Sequence, residues 1–532
     1  MLGGMQDWEL RVSGLIDHAA RAHPTREIVT AWADGAQTRT NWQDLRCDAL
    51  RMVQALRRLD IYPEDRVATL AMNHGRHLAS WFGITGAGCV LHTINPRLFD
   101  DQLEYIVNHA RDRVMIYDLA FHPIVERMRR RWPTIEHYIC FDDPRHAVTF
   151  ADWIAVEDGD ALWSPGDERG PCMLCYTSGT TGDPKGVLYS HRSNMLHTLA
   201  MLQPACLAIE PRSCVLPIVP MFHANNWGLP WACAATGAKM VYSQVNEAAV
   251  LCDLMEAEQV THVGGVPTVW FSMFEHLDRT GKAMPPLRMA LSGGSAVPAS
   301  VVERLMRSGV RVVQAWGMTE TSPIATITYE PPGWDAMSFD EQVSCKSRQG
   351  RPVYGSEVRT ASLSDPLEET PRDGETSGAL QVRGHWTIRR YFEAEEDAVG
   401  ADQWFDTGDV AAIAPDGAIR LTDRTKDLIK SGGEWISSVE LENAAVAHPD
   451  VAEAAAIAIA HPRWDERPLL VVVRRPGADV SAAELRQFLT TRVPRWWLPD
   501  AIEFVDALPH TGTGKINKKD LRLLFRDYRL PD

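Results

Sequence analysis

The chain has 532 residues, 45% hydrophobic and 23% charged, which is too long for one hydrophobic core and too apolar for a disordered state. Its 54 Lys+Arg against 70 Asp+Glu give a formal net charge of -16, which excludes a nucleic-acid-coating surface, and no apolar run is long enough to span a bilayer. The opening residues lack the basic-then-apolar layout of a signal peptide, and the cysteines are scattered, with only Cys172 and Cys175 spaced as C-x-x-C; a reduced, cytoplasmic protein with small core thiols is expected.

In chain order, β-rich runs at 66–71, 113–117 and 137–141 flank a stretch, 76–87, that reads as an amphipathic helix. Strand, helix, strand at this spacing predicts parallel sheets covered by helices. Beyond about 350 the texture changes to short strands between Gly, Pro and Asp (378–383, 417–422), a small antiparallel section. The last hundred residues read as a helix at 439–447, strands at 451–460 and 469–474, and a helix at 481–490 that opens on a Ser481/Glu484 capping box. The expected architecture is an α/β protein. A large N-terminal domain of helix-covered sheets, 1–423, is followed by a small, mobile α+β C-terminal domain, 424–532.

The most informative segment is Tyr176-Thr-Ser-Gly-Thr-Thr-Gly-Asp-Pro-Lys-Gly-Val187. Thr177, Ser178, Thr180 and Thr181 offer hydroxyls, Gly179 lets backbone N–H groups approach an anion, and Lys185 supplies charge; together they suit a phosphate chain. The segment is not a Walker loop, because Lys185 precedes Gly186 and the G-x-x-x-x-G-K spacing fails.

This loop resembles that of the adenylate-forming enzymes: acyl-CoA synthetases, peptide-synthetase adenylation domains and firefly-type luciferases. The resemblance continues in order through Pro220-Met-Phe-His-Ala-Asn-Asn-Trp-Gly228, Ser292-Gly-Gly-Ser-Ala-Val-Pro298 and Gln314-Ala-Trp-Gly-Met-Thr-Glu320. It then runs through Asp406-Thr-Gly-Asp409, the stretch 423–437 and Thr511-Gly-Thr-Gly-Lys-Ile516. Ser431-Gly-Gly-Glu-Trp-Ile-Ser-Ser438 and His461-Pro-Arg-Trp-Asp-Glu-Arg-Pro468 look like the branch of bacterial medium- and long-chain fatty acyl-CoA synthetases and methylmercaptopropionate-CoA ligases.

The resemblance implies an AMP-forming ligase that uses ATP, Mg²⁺ and coenzyme A on a small-molecule carboxylic acid. Glu320 and the Thr177 hydroxyl would be the Mg²⁺ contacts, hard oxygen donors suited to that ion. Thr319 would hold the phosphate that becomes part of AMP. Gly293 and Gly294 would lie flat against the adenine beside Gln314, Ala315, Trp316 and Gly317, with Trp316 offering a stacking face. Asp409 would take the ribose hydroxyls with Arg424 near it. Lys515 would bridge the acyl carboxylate and the α-phosphate. Lys426 would be the hinge about which the C-terminal domain turns between half-reactions. The second half-reaction would use the Gly432–Gly433 turn as a wall for pantetheine, with Lys430 and Trp435 on the same segment.

The acyl pocket is expected along 220–228, 262–270, 292–298 and parts of 314–325, with His223 near the carboxylate and Trp227 as a gate. Asn226 and Gly264, which precedes Gly265, depart from the branch's pattern. The missing methyl at Gly264 enlarges the pocket slightly, while Asn226 adds a polar group that needs a partner. A bulky or functionalised acid therefore competes with a plain straight-chain one. A carrier-protein-loading domain, a luciferase-like oxidase and a nucleotide sensor on the same fold are the rival readings. An Asp after the aromatic motif, usual in amino-acid-activating relatives, is missing here, and the chain ends Arg-Leu-Pro-Asp without a peroxisomal signal. The branch also implies a homodimer through the N-terminal domain.

Overall fold

The computed structural model describes residues 3–142, 149–177, 183–295, 297–424, 426–431, 434–510 and 516–530. The chain forms two compact units, Met1–Glu357 with Val382–Phe405, and Val358–Gln381 with Asp406–Asp532. The β-rich stretch 406–424 therefore groups with the C-terminal residues. A cut at 423/424 is a different proposition, about a hinge.

In the first unit, six described strands form one sheet in the order His137–Cys140, Val114–Tyr117, Arg66–Leu70, Val90–Thr93, Pro171–Tyr176, Gly186–Ser190. All neighbours are parallel except the last pair, an antiparallel hairpin. Val114–Tyr117 is buried along its whole length, as a strand covered on both faces must be. A nine-stranded sheet has a parallel centre, Arg311–Gly317, Met289–Ser292, His262–Gly265, Cys214–Pro217, Lys239–Ser243 and Glu27–Ala31, with antiparallel strands at both edges. Its core packs Leu216, Val263, Ala290 and Val312 against Trp270, Met273, Val301 and Leu305.

The helix expected at 76–87 is present as Gly75–Gly86, but it is not amphipathic: almost every residue is buried. Its polar residues misled the pattern because they are satisfied internally. His77 bonds the Met72 carbonyl (2.9 Å) and the Thr69 hydroxyl (3.0 Å), and burial lowers its pKa to about 3, so it stays neutral. His74 meets the buried Asp118 at 2.9 Å. Cys172 and Cys175 are buried, with Asn194 donating to Cys172 Sγ at 3.2 Å, which suits small core thiols.

The second unit carries the antiparallel pair Phe405–Ile413 and Ile419–Arg424. A second sheet orders Glu434–Ile436, Ile429–Ser431, Asp465–Arg474 and Val451–His461, with Ala501–Phe504 parallel to Asp465–Arg474. Helices Ser438–Val446 and Ala482–Leu489 close its core on Ile429, Leu441, Leu470, Leu485 and Leu489. The Ser481/Glu484 capping box is formed, each residue satisfying the other's backbone N–H.

Candidate functional site

In the first unit the glycine-rich segment lies between the antiparallel strands Pro171–Tyr176 and Gly186–Ser190. Thr177 N–H donates to the Lys185 carbonyl (2.9 Å) and Lys185 N–H to the Thr177 hydroxyl (3.3 Å), which closes its neck. Ser178, Gly179, Thr180 and Thr181 lie outside the described residues.

A residue that sequence reasoning missed joins this neck to Glu320. Tyr391 donates its hydroxyl to Glu320 Oε1 at 2.8 Å, and the Lys185 ammonium lies 4.8 Å from the centre of the Tyr391 ring. Burial, reinforced by the Glu320 charge, raises the Tyr391 phenol well above its usual value, so it remains a donor at neutral pH. Glu320 is itself buried, in the short turn Thr319–Thr321 that follows the strand Arg311–Gly317. Two further bonds hold that turn: Tyr189 O–H donates to the Thr319 carbonyl (2.6 Å) and Ile388 N–H to the Glu320 carbonyl (2.7 Å). Thr177, Lys185, Thr319 and Glu320 are thus linked through Tyr189 and Tyr391. Tyr391 follows Arg389 and Arg390 and precedes a run of acids, a setting that forms no phosphate- or metal-binding motif, so only the fold reveals it.

Gly265, Ser292 and Gln314 stand in register across three parallel strands, at the ends from which the loops leave. Ala315, Trp316 and Gly317 continue the third strand, and Trp316 is buried. A Cβ at Gly293 would lie 2.8 Å from the Ala315 carbonyl oxygen and 3.6 Å from the Trp227 ring, and one at Gly294 would lie 3.7 Å from the same ring. The loop therefore passes against backbone on one side and the Trp227 indole on the other. Only glycine fits at 293.

Trp227 stands in an unusual backbone. Asn225, Asn226 and Trp227 are all left-handed (φ 52, 47 and 57°), followed by Gly228 at 77°. Each such non-glycine residue costs about 1–2 kcal/mol, so the turn must be held from outside. Asn226 donates to the Val219 carbonyl, Asn225 to Asn194 Oδ1 (2.9 Å), and Asn73 bridges the Pro217 and Val219 carbonyls (3.0 and 2.8 Å). The Oδ1 atoms of Asn225 and Asn226, Ser292 Oγ and Gln314 Oε1 are buried with no partner among the described residues. Four unsatisfied polar atoms in these segments mark a place for polar ligand groups or water.

His223 is half-buried, its ring 4.9 Å from that of Phe222. At Gly264 a Cβ would meet Leu229 Cδ1 at 2.8 Å, so the missing methyl's volume is filled by Leu229 rather than added to an acyl pocket.

In the second unit Asp409 and Arg424 are registered partners across the antiparallel pair, with Arg424 Nε 3.4 Å from Asp409 Oδ1. Lys426 follows two residues later; burial lowers its pKa, and Arg522 donates to its carbonyl at 3.2 Å. Lys430 and Trp435 oppose each other across a short hairpin, so their side chains share a face. Trp435 is exposed, and Lys430 N–H donates to Glu466 (2.8 Å). Gly432, Gly433 and Lys515 lie outside the described residues.

The family model for AMP-binding enzyme matches residues 16–392, and that for the AMP-binding enzyme C-terminal domain matches 440–515. The chain is 45% identical to a 3-methylmercaptopropionyl-CoA ligase of Ruegeria lacuscaerulensis, over 99% of each chain. It is 41% identical to a medium-chain-fatty-acid–CoA ligase of Ectopseudomonas oleovorans, over 100% of this chain and 98% of that one. Among solved structures, the anthranilate CoA ligase AuaEII in complex with anthranoyl-AMP superposes with a TM-score of 0.84 at 25% identity, over 98% of this chain and 99% of that one. With both family models matched in order along the chain, it belongs to the AMP-binding enzyme family.

Proposed function

We propose that the chain is an AMP-forming acyl-CoA ligase. A carboxylate oxygen attacks the α-phosphorus of ATP and pyrophosphate leaves; the CoA thiol then attacks the acyl carbonyl, loses its proton and expels AMP. The observation that carries the reading is the Lys185–Tyr391–Glu320 assembly at the neck of the glycine-rich hairpin. Both reactants of the first step are anions, so a positioned cation and a fixed carboxylate are what that step needs.

In this reading the loop 177–185 and Lys185 hold the β- and γ-phosphates, Thr319 the α-phosphate, and 293–294 with 314–317 the adenine. Asp409 and Arg424 take the ribose. The Glu320 carboxylate and Thr177 hydroxyl are hard oxygen donors that would hold Mg²⁺, which supplies further charge neutralisation on the phosphates. Lys515 serves adenylation, while Lys430, Gly432, Gly433 and Trp435 serve thioester formation after residues 424–532 turn about Lys426. His223, Trp227, Asn226 and Gly265 border the acyl group. We place the enzyme in the cytoplasm as a homodimer; among the described residues no helix is long and apolar enough to cross a membrane.

The relatives' names favour a short- to medium-chain aliphatic acid, including one with a thioether. The Oδ1 atoms of Asn225 and Asn226, which have no partner among the described residues, favour a second reading, an acid with a hydrogen-bond donor along its chain. The test follows pyrophosphate and CoA-thioester formation with 3-methylmercaptopropionate, hexanoate, octanoate, palmitate, a hydroxylated octanoate and anthranilate. Equal yields of both products with an aliphatic acid support the proposal. Pyrophosphate without thioester, or thioester only on a pantetheinyl carrier protein, contradicts it.

A further inference from the structure

The Trp227 indole owes its place to a helix that carries none of the site residues assigned above. That helix, His191–Met201, presents Asn194 and His197, three positions apart and so on one face, each 1% exposed. Asn194 Oδ1 accepts from Asn225 Nδ2 at 2.9 Å, while Asn194 Nδ2 donates to Cys172 Sγ at 3.2 Å. Three residues further along both segments, the His197 ring fills the space beside Gly228: a Cβ there would lie 2.8 Å from Cε1 and 3.0 Å from Nδ1. His197 Nε2 accepts the Ile324 N–H at 3.2 Å, so the ring proton sits on Nδ1, and burial lowers the pKa to about 3, which keeps the ring neutral. Trp386 stands edge-on to that ring at 5.6 Å and donates to the Ile324 carbonyl at 3.0 Å, so the histidine cannot move alone.

These two contacts bracket Trp227. Left-handed backbone is tolerated by asparagine and open to glycine, but it is unfavourable for a bulky residue such as tryptophan. Trp227 nevertheless stands at φ 57°, between Asn226 at 47° and Gly228 at 77°. Asn194 grips the run at its first residue and His197 walls it at its last. Held so, the Trp227 ring reaches the Gly293–Gly294 loop, 3.6 and 3.7 Å from where Cβ atoms would stand. Released, the run would relax towards right-handed backbone and swing the indole off that loop.

Resting on the ligase reading above, we propose that Asn194 and His197 are positioning residues for acid selection: they hold the Asn225–Gly228 turn left-handed and so set Trp227 against the Gly293–Gly294 loop, where it borders the acyl group. Both act through Trp227. A pocket discriminates by where its wall stands, and room for one methylene changes the preference by about 10- to 200-fold.

The experiment labels the full chain with 5-fluorotryptophan and compares Asn194→Leu, His197→Gln, Asn225→Ala and Asn225→Gly, with thermal unfolding alongside. The Trp227 fluorine signal, assigned by its loss in Trp227→Phe, should be one narrow line in the wild type. It should shift or broaden in Asn194→Leu, His197→Gln and Asn225→Ala. With hexanoate, octanoate and palmitate, those three variants should raise KM for the best acid at least about fivefold and flatten the chain-length preference at least about threefold, with KM for ATP changed less than about twofold. Asn225→Gly cannot bond Asn194 either, yet glycine keeps a left-handed turn unaided. It should therefore lose less than Asn225→Ala and make an added Asn194→Leu silent. The two Asn225 variants decide the matter if Asn194→Leu or His197→Gln does not fold. An unmoved Trp227 signal in Asn194→Leu, equal losses in Asn225→Ala and Asn225→Gly, or KM for ATP rising in step with KM for the acid would overturn the proposal. A wild-type chain that forms no acyl-adenylate would instead defeat the ligase reading, and the fluorine signals would still show whether Asn194 and His197 hold Trp227.

Discussion

Replacing Tyr391 with Phe removes one oxygen and leaves the ring. The hydrogen bond lost is a 2.8 Å contact onto the buried Glu320 carboxylate. Hydrogen bonds to charged acceptors contribute about 1.5–3 kcal/mol, and here the acceptor is a buried carboxylate. If Glu320 must keep its orientation while the α-phosphorus is attacked, that energy appears in the barrier as roughly a 10- to 150-fold fall in kcat/KM for ATP. The Lys185 contact survives on the Phe face. Tyr391→Leu removes that contact too and should cost a further ~0.5–1 kcal/mol, about a two- to fivefold additional loss. The assay is pyrophosphate release at saturating acid across ATP and Mg²⁺ concentrations, with thermal unfolding to exclude a fold defect. Tyr391→Phe should need more Mg²⁺ for half-maximal rate. A variant within about twofold of wild type, with unchanged Mg²⁺ dependence, would refute the argument.

Other perturbations have equally defined outcomes. Gly293→Ala forces a methyl to 2.8 Å from the Ala315 carbonyl oxygen, and should weaken nucleotide binding measured by calorimetry by about 1–3 kcal/mol. Gly264→Ala meets only the movable end of Leu229, so its chain-length preference in the acid panel should match wild type even if its melting temperature falls. Asp409→Asn loses the charge that faces Arg424 at 3.4 Å, and should raise KM for ATP more than it lowers kcat. Lys346 is 1% exposed on the helix Phe339–Lys346, and burial lowers its pKa to about 8, from 10.5 in the unfolded chain. Between these values the unfolded chain binds more protons, so stability should rise from about pH 8 to 10.5 by an amount on the order of 3 kcal/mol. In Lys346→Met, denaturant titrations should lose that rise and show a more stable protein at pH 7.

The sequence was most readable where structure is local. The strands 66–70 and 114–117 and the Ser481/Glu484 capping box follow from neighbouring residues, and all are present. The helix Gly75–Gly86 was readable as a helix but not as a buried one, because His77 looks polar in sequence and is satisfied by Met72 and Thr69 only in the fold. The left-handed run Asn225–Trp227 gives no glycine signal, since its conformation is imposed by Asn73, Asn194 and Val219. Tyr391 was invisible for the same reason: its partner Glu320 lies 71 positions away in the chain.

The central claim is that the acid is activated as an acyl-adenylate before it reaches CoA. The most direct measurement supplies the acid with both carboxylate oxygens labelled as ¹⁸O, together with ATP and CoA, and reads the label in the released nucleotide by mass spectrometry. The account predicts one ¹⁸O in each AMP formed, carried by the oxygen that attacked the α-phosphorus. Unlabelled AMP, or label in ADP or free phosphate, would contradict it.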